Sequence, residues 1–103
     1  MIVVETQRYP ELRQLFGAYL NADVAREYGT VAAALEAYRR ETGPAHLAGA
    51  RAELDRLTAA PGAAVRLHEH FTALGCEVSL ANAGAAWALA ATIRRVLGDS
   101  PAA

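Results

Sequence analysis

The chain has 103 residues, enough for a single domain with one hydrophobic core. Hydrophobic residues make up 53% and charged residues 20%, a composition that excludes disorder as the dominant state. The net charge of -1 and the pI of about 6.3 exclude the broad basic surface of a nucleic-acid binder, and the single cysteine, Cys76, excludes a disulfide within the chain.

The amino-terminal residues indicate an extended segment ahead of the first helix. Met1 to Glu5 is rich in β-branched residues but has no obvious partner strand, so residues 1–8 are predicted to be extended. The first helix is expected to begin near Pro10 and to end near Asn21, because proline is favoured in a first helical turn. Gly17, inside this helix, is expected to allow another element to approach closely. One apolar stripe follows the helical spacing and consists of Leu12, Leu15, Phe16, Tyr19 and Leu20.

Two further helices are indicated before the Gly43-Pro44 pair. A short helix from Ala22 to Tyr28 is expected to stop at Gly29, which can take a left-handed backbone conformation. Thr30 suits the N-cap of the third helix, because its hydroxyl can accept a hydrogen bond from a first-turn N–H. The residues expected to line one side of this third helix are Val31, Leu35, Tyr38 and Thr42.

Three more helices complete the expected bundle. The fourth ends at Pro61-Gly62 and carries an apolar stripe of Leu47, Ala50, Leu54 and Leu57. The fifth runs from about Ala63 to Leu74, and its predicted inner residues are Val65, His68, Phe71, Thr72 and Leu74. The last begins after Asn82 or Gly84, ends at Gly98 and carries Trp87, Leu89, Ile93, Val96 and Leu97.

Short helices joined by short loops predict an all-α fold, a compact bundle of five to six helices in a single domain over residues 1–103. Residues 99–103 are expected to fray. The longest uncharged stretch, residues 78–93, is shorter than the roughly 18–20 apolar residues of a membrane span, and the amino terminus lacks the apolar core of a signal peptide. We therefore expect a cytoplasmic protein with no membrane partner, and we favour a monomer.

The histidines, the cysteine and the carboxylates suggest no recognisable catalytic arrangement. A helix would place His68 and His70 on opposite sides, so we expect them not to share a metal, with His68 packed and His70 solvated. Cys76 follows a helix C-terminus, where the dipole raises a thiol pKa, and is expected to be buried and inert. Glu53 and Glu69 could form an acid–base pair, but nothing in the sequence brings them together. We expect neither catalysis nor a metal or other cofactor.

A cluster of acidic and aromatic residues is the candidate partner-binding site. Asp23 and Glu27 are spaced i, i+4, so a helix would place their carboxylates side by side. Tyr19 and Tyr28 bracket them in the sequence. Carboxylates could steer a basic partner towards tyrosine rings that anchor it. The alternative interpretation is a solvated helix face with two core tyrosines.

Four sequence blocks resemble a bacterial protein family. Residues 9–23, YPELRQLFGAYLNAD, combine a Tyr-Pro-Glu-Leu stretch with a later Gly-x-Tyr and an Asp. The other blocks are AELDRLTA at residues 52–59, Leu74-Gly75-Cys76, and Gly84 followed by Trp87. In this order they resemble the small immunity proteins of contact-dependent growth inhibition systems, known as CdiI. The matching blocks extend over nearly the whole chain.

The resemblance implies a protein that stays in the cytoplasm of a cell making a surface-delivered toxin. It implies that the partner is the C-terminal toxin domain of the cognate CdiA effector, expected to be a nuclease, and that binding blocks its activity. It implies neither catalysis nor direct contact with nucleic acid. The alternative is a small helical adaptor or regulatory module with another partner.

Overall fold

The computed structural model describes residues 5–98, which form one 3-10 turn followed by six α-helices. The 3-10 turn is Thr6–Arg8, and the helices are α1 Pro10–Tyr19, α2 Val24–Tyr28, α3 Val31–Glu41, α4 Pro44–Thr58, α5 Ala63–Ala73 and α6 Ala83–Leu97. No β-strand occurs within residues 5–98, and the all-α prediction is confirmed. The 3-10 turn replaces the extended backbone expected there. Residues 1–4 of the predicted extended segment and the tail at 99–103 lie outside the described residues.

The helices pack around one core. Helix α6 packs against α3, α4 and α5, whereas α1 packs against α3 and α4. The largest fully buried side chains are Tyr38, Phe16, Phe71, Leu12, Leu15, Leu20, Leu35, Leu54, Leu57, Leu67 and Ile93. Burial of each large apolar side chain contributes about 1.5–3 kcal/mol. Within residues 5–98, none of the helices combines the length and the hydropathy needed to cross a bilayer.

Several predicted helix ends are confirmed by their hydrogen bonds. The Thr30 hydroxyl accepts from the backbone N–H of Ala33 at 3.0 Å, and the Asn82 amide oxygen caps α6 in the same way. Gly75 has a φ of 101°, and the next N–H donates back to the Phe71 carbonyl at 3.0 Å. This bond belongs to a Schellman motif, which requires a residue that tolerates positive φ. Residues within one turn of these helix ends therefore determine where the helices begin and stop.

The predicted inner face of α5 is partly wrong. Val65 is 68% exposed and Thr72 is also exposed, whereas Leu67 is fully buried. The residues that face the core lie three and four positions apart, namely Ala63, Leu67, His70, Phe71 and Leu74. A helix that buries Leu67 and its apolar neighbours must turn His70 inwards too, because residues at i+3 share the face. The backbone at Arg66 (φ -130°, ψ 18°) also kinks the helix just after Val65.

A further expectation about close packing, at Gly17, is corrected. Gly17 is exposed and has no neighbouring atom within 4 Å of the position that a Cβ would occupy, so no element approaches it closely. The glycine that makes room for α1 is Gly49 on α4, where a Cβ would lie 3.1 Å from Cγ of Glu11. Trp87 is only partly buried, and its indole N–H donates to the Ala64 carbonyl at 3.4 Å.

The carboxylate of Glu53 joins α4 to the start of α1. Its two oxygens accept hydrogen bonds from the backbone N–H groups of Glu11 at 3.2 Å and Leu12 at 3.0 Å. Pro10 has no N–H, and Tyr9 provides no side-chain cap. Glu53 therefore accepts the hydrogen bonds of first-turn N–H groups that have no acceptor within the helix. An anion is also favoured at this positive end of the helix dipole. Glu53 is 6% exposed, which makes the contact an internal one.

We predict that Glu53→Gln lowers the free energy of unfolding by about 1–3 kcal/mol, because a neutral amide presents one acceptor where the carboxylate presents two. Urea unfolding followed by circular dichroism measures the change. Glu69→Gln is the matched control, since Glu69 is exposed on α5, and its effect should stay within about 0.5 kcal/mol. Equal stability of the Glu53 variant and the native protein would contradict the capping role.

Candidate functional site

The predicted acidic residues lie exposed at the start and in the body of α2. The backbone N–H of Glu27 donates to the Asp23 carbonyl at 2.9 Å, which places the two residues one helical turn apart. Asp23 also forms an ion pair with Arg26, three residues further along the chain, at 2.7 Å. Both members of this pair are largely solvated, so its contribution to stability is at most about 1 kcal/mol. The arrangement leaves both carboxylates accessible to a partner.

The two predicted tyrosines pack against each other and are half-buried. The rings of Tyr19 and Tyr28 have centroids 6.0 Å apart and an interplanar angle of 27°. The Tyr19 ring also packs edge-to-face with the buried Tyr38 ring, with centroids 5.2 Å apart. Aromatic pairs of this kind contribute about 0.5–1.5 kcal/mol beyond area burial. The tyrosines are thus fixed in position while part of each ring remains exposed.

The segment between α1 and α2, which contains Asp23, is held in place by hydrogen bonds from residues both near and far in the sequence. Asn21 donates from its side chain to the Gly17 carbonyl at 3.1 Å and accepts from the Asp23 N–H at 2.9 Å. The carboxylate of Glu77 accepts from the Ala22 N–H at 2.7 Å, and the backbone N–H of Glu77 donates to the Leu20 carbonyl. The segment after α5 therefore positions the start of α2.

A second feature, which spacing along the chain does not indicate, is a cavity beside the predicted cluster. It has a volume of about 490 Å³ and lies where α1 begins, α3 ends and α4 begins. We call it the acidic groove, and its lining residues are Pro10, Glu11, Gln14, Tyr19, Tyr38, Glu41, Thr42, Gly43 and His46. The residues come from separate elements, so no local pattern joins them. Tyr19 belongs to both the acidic groove and the predicted cluster.

Hydrogen bonds inside the acidic groove engage both of its carboxylates. The Tyr19 hydroxyl donates to Oε1 of Glu41 at 2.6 Å. This bond, followed by burial, raises the pKa of Tyr19 to about 12. Nδ1 of His46 lies 2.8 Å from Oε2 of Glu11. Burial, followed by the negative charges of Glu11 and Glu53, raises the pKa of Tyr38 to about 12.

Of the remaining candidate chemical groups, His70 has surroundings different from those expected. His70 is 3% exposed and neither of its ring nitrogens has a hydrogen-bond partner within residues 5–98, so the prediction that it is solvated is wrong. His68, predicted to be packed, is partly buried. Cys76 is buried as predicted, and its burial raises the pKa of the thiol. Glu53 caps α1, whereas Glu69 faces Arg66 at 3.2 Å.

Within residues 5–98, no three or more histidine, cysteine, aspartate or glutamate side chains come together in a way that suits a metal ion. On the surface, carboxylates lie beside partly exposed tyrosine rings. Such groups bind cations through charge, hydrogen bonds and the ring faces.

The fold and this surface define a class of small helical proteins that present a rigid polar face. A family model described as CdiI immunity protein matches residues 8–88, and the chain therefore belongs to the CdiI immunity protein family. Membership supports an immunity function against a toxin of contact-dependent growth inhibition. Searches of curated proteins and of solved structures found no match.

We predict that the protein loses stability as the pH falls below about 6.5, the ordinary pKa of histidine. Burial lowers the pKa of His70 in the folded chain, so the unfolded chain binds more protons in this range and is favoured. Thermal melting between pH 7 and pH 5 measures the effect. His70→Leu should flatten the pH dependence and should not lower stability at pH 7, because it removes two unpaired buried nitrogens.

His68→Leu is the matched control, since it removes a neighbouring histidine from the same helix and leaves His70 in place. The native protein and this control should show the same decline in melting temperature. If the melting temperature falls equally with pH in the native protein and in His70→Leu, His70 is not the source of the pH dependence.

Proposed function

We propose that this protein binds and neutralises the C-terminal toxin domain of a cognate contact-dependent growth inhibition effector. The observation that carries the proposal is the family match, which covers residues 8–88 of the 103. In this proposal the protein acts as a cytoplasmic monomer and inhibits by binding, without catalysis or a cofactor. The toxin domain is the partner, and neither nucleic acid nor a membrane is contacted directly.

The toxin is proposed to be a nuclease on grounds of charge. A nuclease needs a basic surface to hold the phosphate backbone of its substrate. An inhibitor that covers this surface must offer negative charge in the right places, although its net charge can stay close to zero. Asp23 and Glu27 on α2 and Glu11 and Glu41 in the acidic groove supply such charge locally.

The proposed contact surface consists of Asp23, Glu27, Tyr19 and Tyr28. The carboxylates would raise the rate of encounter with a basic partner, and the tyrosine rings would supply apolar contact area. The stacked rings and the bonded connection before α2 are already ordered in the free chain. A pre-organised surface loses less conformational entropy on binding, which favours high affinity.

The direct test is co-expression with the toxin domain encoded upstream of this chain's gene. Growth should be rescued, and the two proteins should co-purify as a 1:1 complex on size-exclusion chromatography. A toxin that still kills in the presence of folded protein, with no complex formed, would refute the proposed function.

We predict that the double variant Asp23→Lys, Glu27→Lys weakens toxin binding by about tenfold or more, because it places positive charge against a basic surface. Isothermal titration calorimetry measures the affinity, and melting temperature checks folding. The control is Asp55→Lys, Glu69→Lys, which makes the same change in net charge on α4 and α5. Similar losses in both double variants would show that net charge alone matters and would exclude α2 as a specific contact.

A further inference from the structure

Helix α2, which carries part of the proposed contact surface, has few means of its own to stay in place. It has five residues, Val24–Tyr28, all of them in the described part of the chain, and none of the five is fully buried. Asp23, at its N-cap, makes no side-chain capping bond within residues 5–98. Because a helix this short is unstable in isolation, its order depends on contacts from outside it.

Glu77 provides such a contact from a distant part of the chain. Its carboxylate accepts from the Ala22 N–H at 2.7 Å, and its own backbone N–H donates to the Leu20 carbonyl at 3.0 Å. The residue therefore bonds at two points to the segment that joins α1 to α2. A charged acceptor makes a stronger hydrogen bond to a backbone N–H than a neutral acceptor does.

The segment that carries Glu77 is attached to the core. Cys76, directly before it, is buried, and the Cys76 N–H donates to the Phe71 carbonyl at 3.0 Å in the turn that ends α5. Phe71 is fully buried. The position of Glu77 is therefore set by the core, and its two bonds fix the start of α2 relative to the core.

We propose that Glu77 is a positioning residue for toxin binding, an inference that rests on the proposed function. It lies outside the proposed contact surface and acts by keeping α2 docked on α3. Only molecules in which α2 is docked present that surface in full, so the apparent affinity falls with the docked fraction. Glu77 thereby reduces the entropy that is lost on binding, without touching the toxin.

The first test compares Glu77→Ala with Glu77→Gln in the free, full-length protein. Glu77→Ala removes the bond to Ala22, whereas Glu77→Gln keeps a side-chain acceptor for it. The amides of Glu27 and Gly29, which bond within α2, should lose about fivefold to tenfold of their protection from hydrogen exchange in Glu77→Ala, as measured by NMR. Glu77→Gln should recover most of this protection. The amides of α4 and α6 should exchange as in the native protein, which a general loss of stability would not allow.

The second test measures affinity for the toxin by calorimetry. Glu77→Ala should bind about threefold or more weakly than the native protein, and Glu77→Gln should bind with close to native affinity. Glu69→Ala is the matched control, because it removes an exposed carboxylate that bonds to Arg66 on its own helix. It should bind with native affinity.

Two results would overturn the proposal while the proposed function stands. One is native affinity in Glu77→Ala. The other is an equal loss in Glu77→Ala and Glu77→Gln, which would show that the charge of Glu77 itself acts on the toxin. If the native protein does not bind the toxin, the proposed function fails and the effect on affinity fails with it. Unchanged protection of α2 in Glu77→Ala would overturn the positioning role independently of any toxin.

Discussion

The contact on which the rest of the structure depends is the buried carboxylate of Glu53 beneath the start of α1. Two backbone N–H groups of α1, which the helix itself cannot satisfy, are paired by a side chain more than 40 residues away in sequence. The contact fixes how α1 lies on α4, and Gly49 permits the same approach by leaving room for Glu11. Because Glu11 and Tyr38 then face the same cavity, the contact also shapes the acidic groove.

A family whose function is recognition needs a stable surface more than a catalytic pocket. Here the surface combines a short helix, α2, with the ends of three longer helices. The aromatic contacts of Tyr19 with Tyr28 and Tyr38 join these parts. The exposed carboxylates are therefore attached to elements that are fixed relative to one another. A five-residue helix has little stability of its own, and its position here comes from packing on α3 and from the bond between Glu77 and Ala22.

Two buried polar side chains weaken the core for different reasons. His70 is turned inwards because it shares a helix face with Leu67 and Phe71, whose apolar burial outweighs two unpaired ring nitrogens. The Tyr38 hydroxyl is also unpaired within residues 5–98, and the Tyr38 ring is held in the core by its contact with Tyr19. The contacts of a buried aromatic ring offset the missing hydrogen bond at Tyr38.

The helices and most of their ends could be predicted from the sequence, because capping residues, glycines at positive φ and apolar spacing act over a few neighbouring residues. Thr30, Asn82 and Gly75 end or begin helices through such contacts, and the blocks from residue 9 to Trp87 indicated the family. The inner face of α5 follows from packing between helices, since the predicted stripe and the observed stripe have only Phe71 and Leu74 in common. Tertiary packing also determines the role of Glu53 and the set of residues that line the acidic groove. Both depend on contacts between residues that are far apart in the sequence.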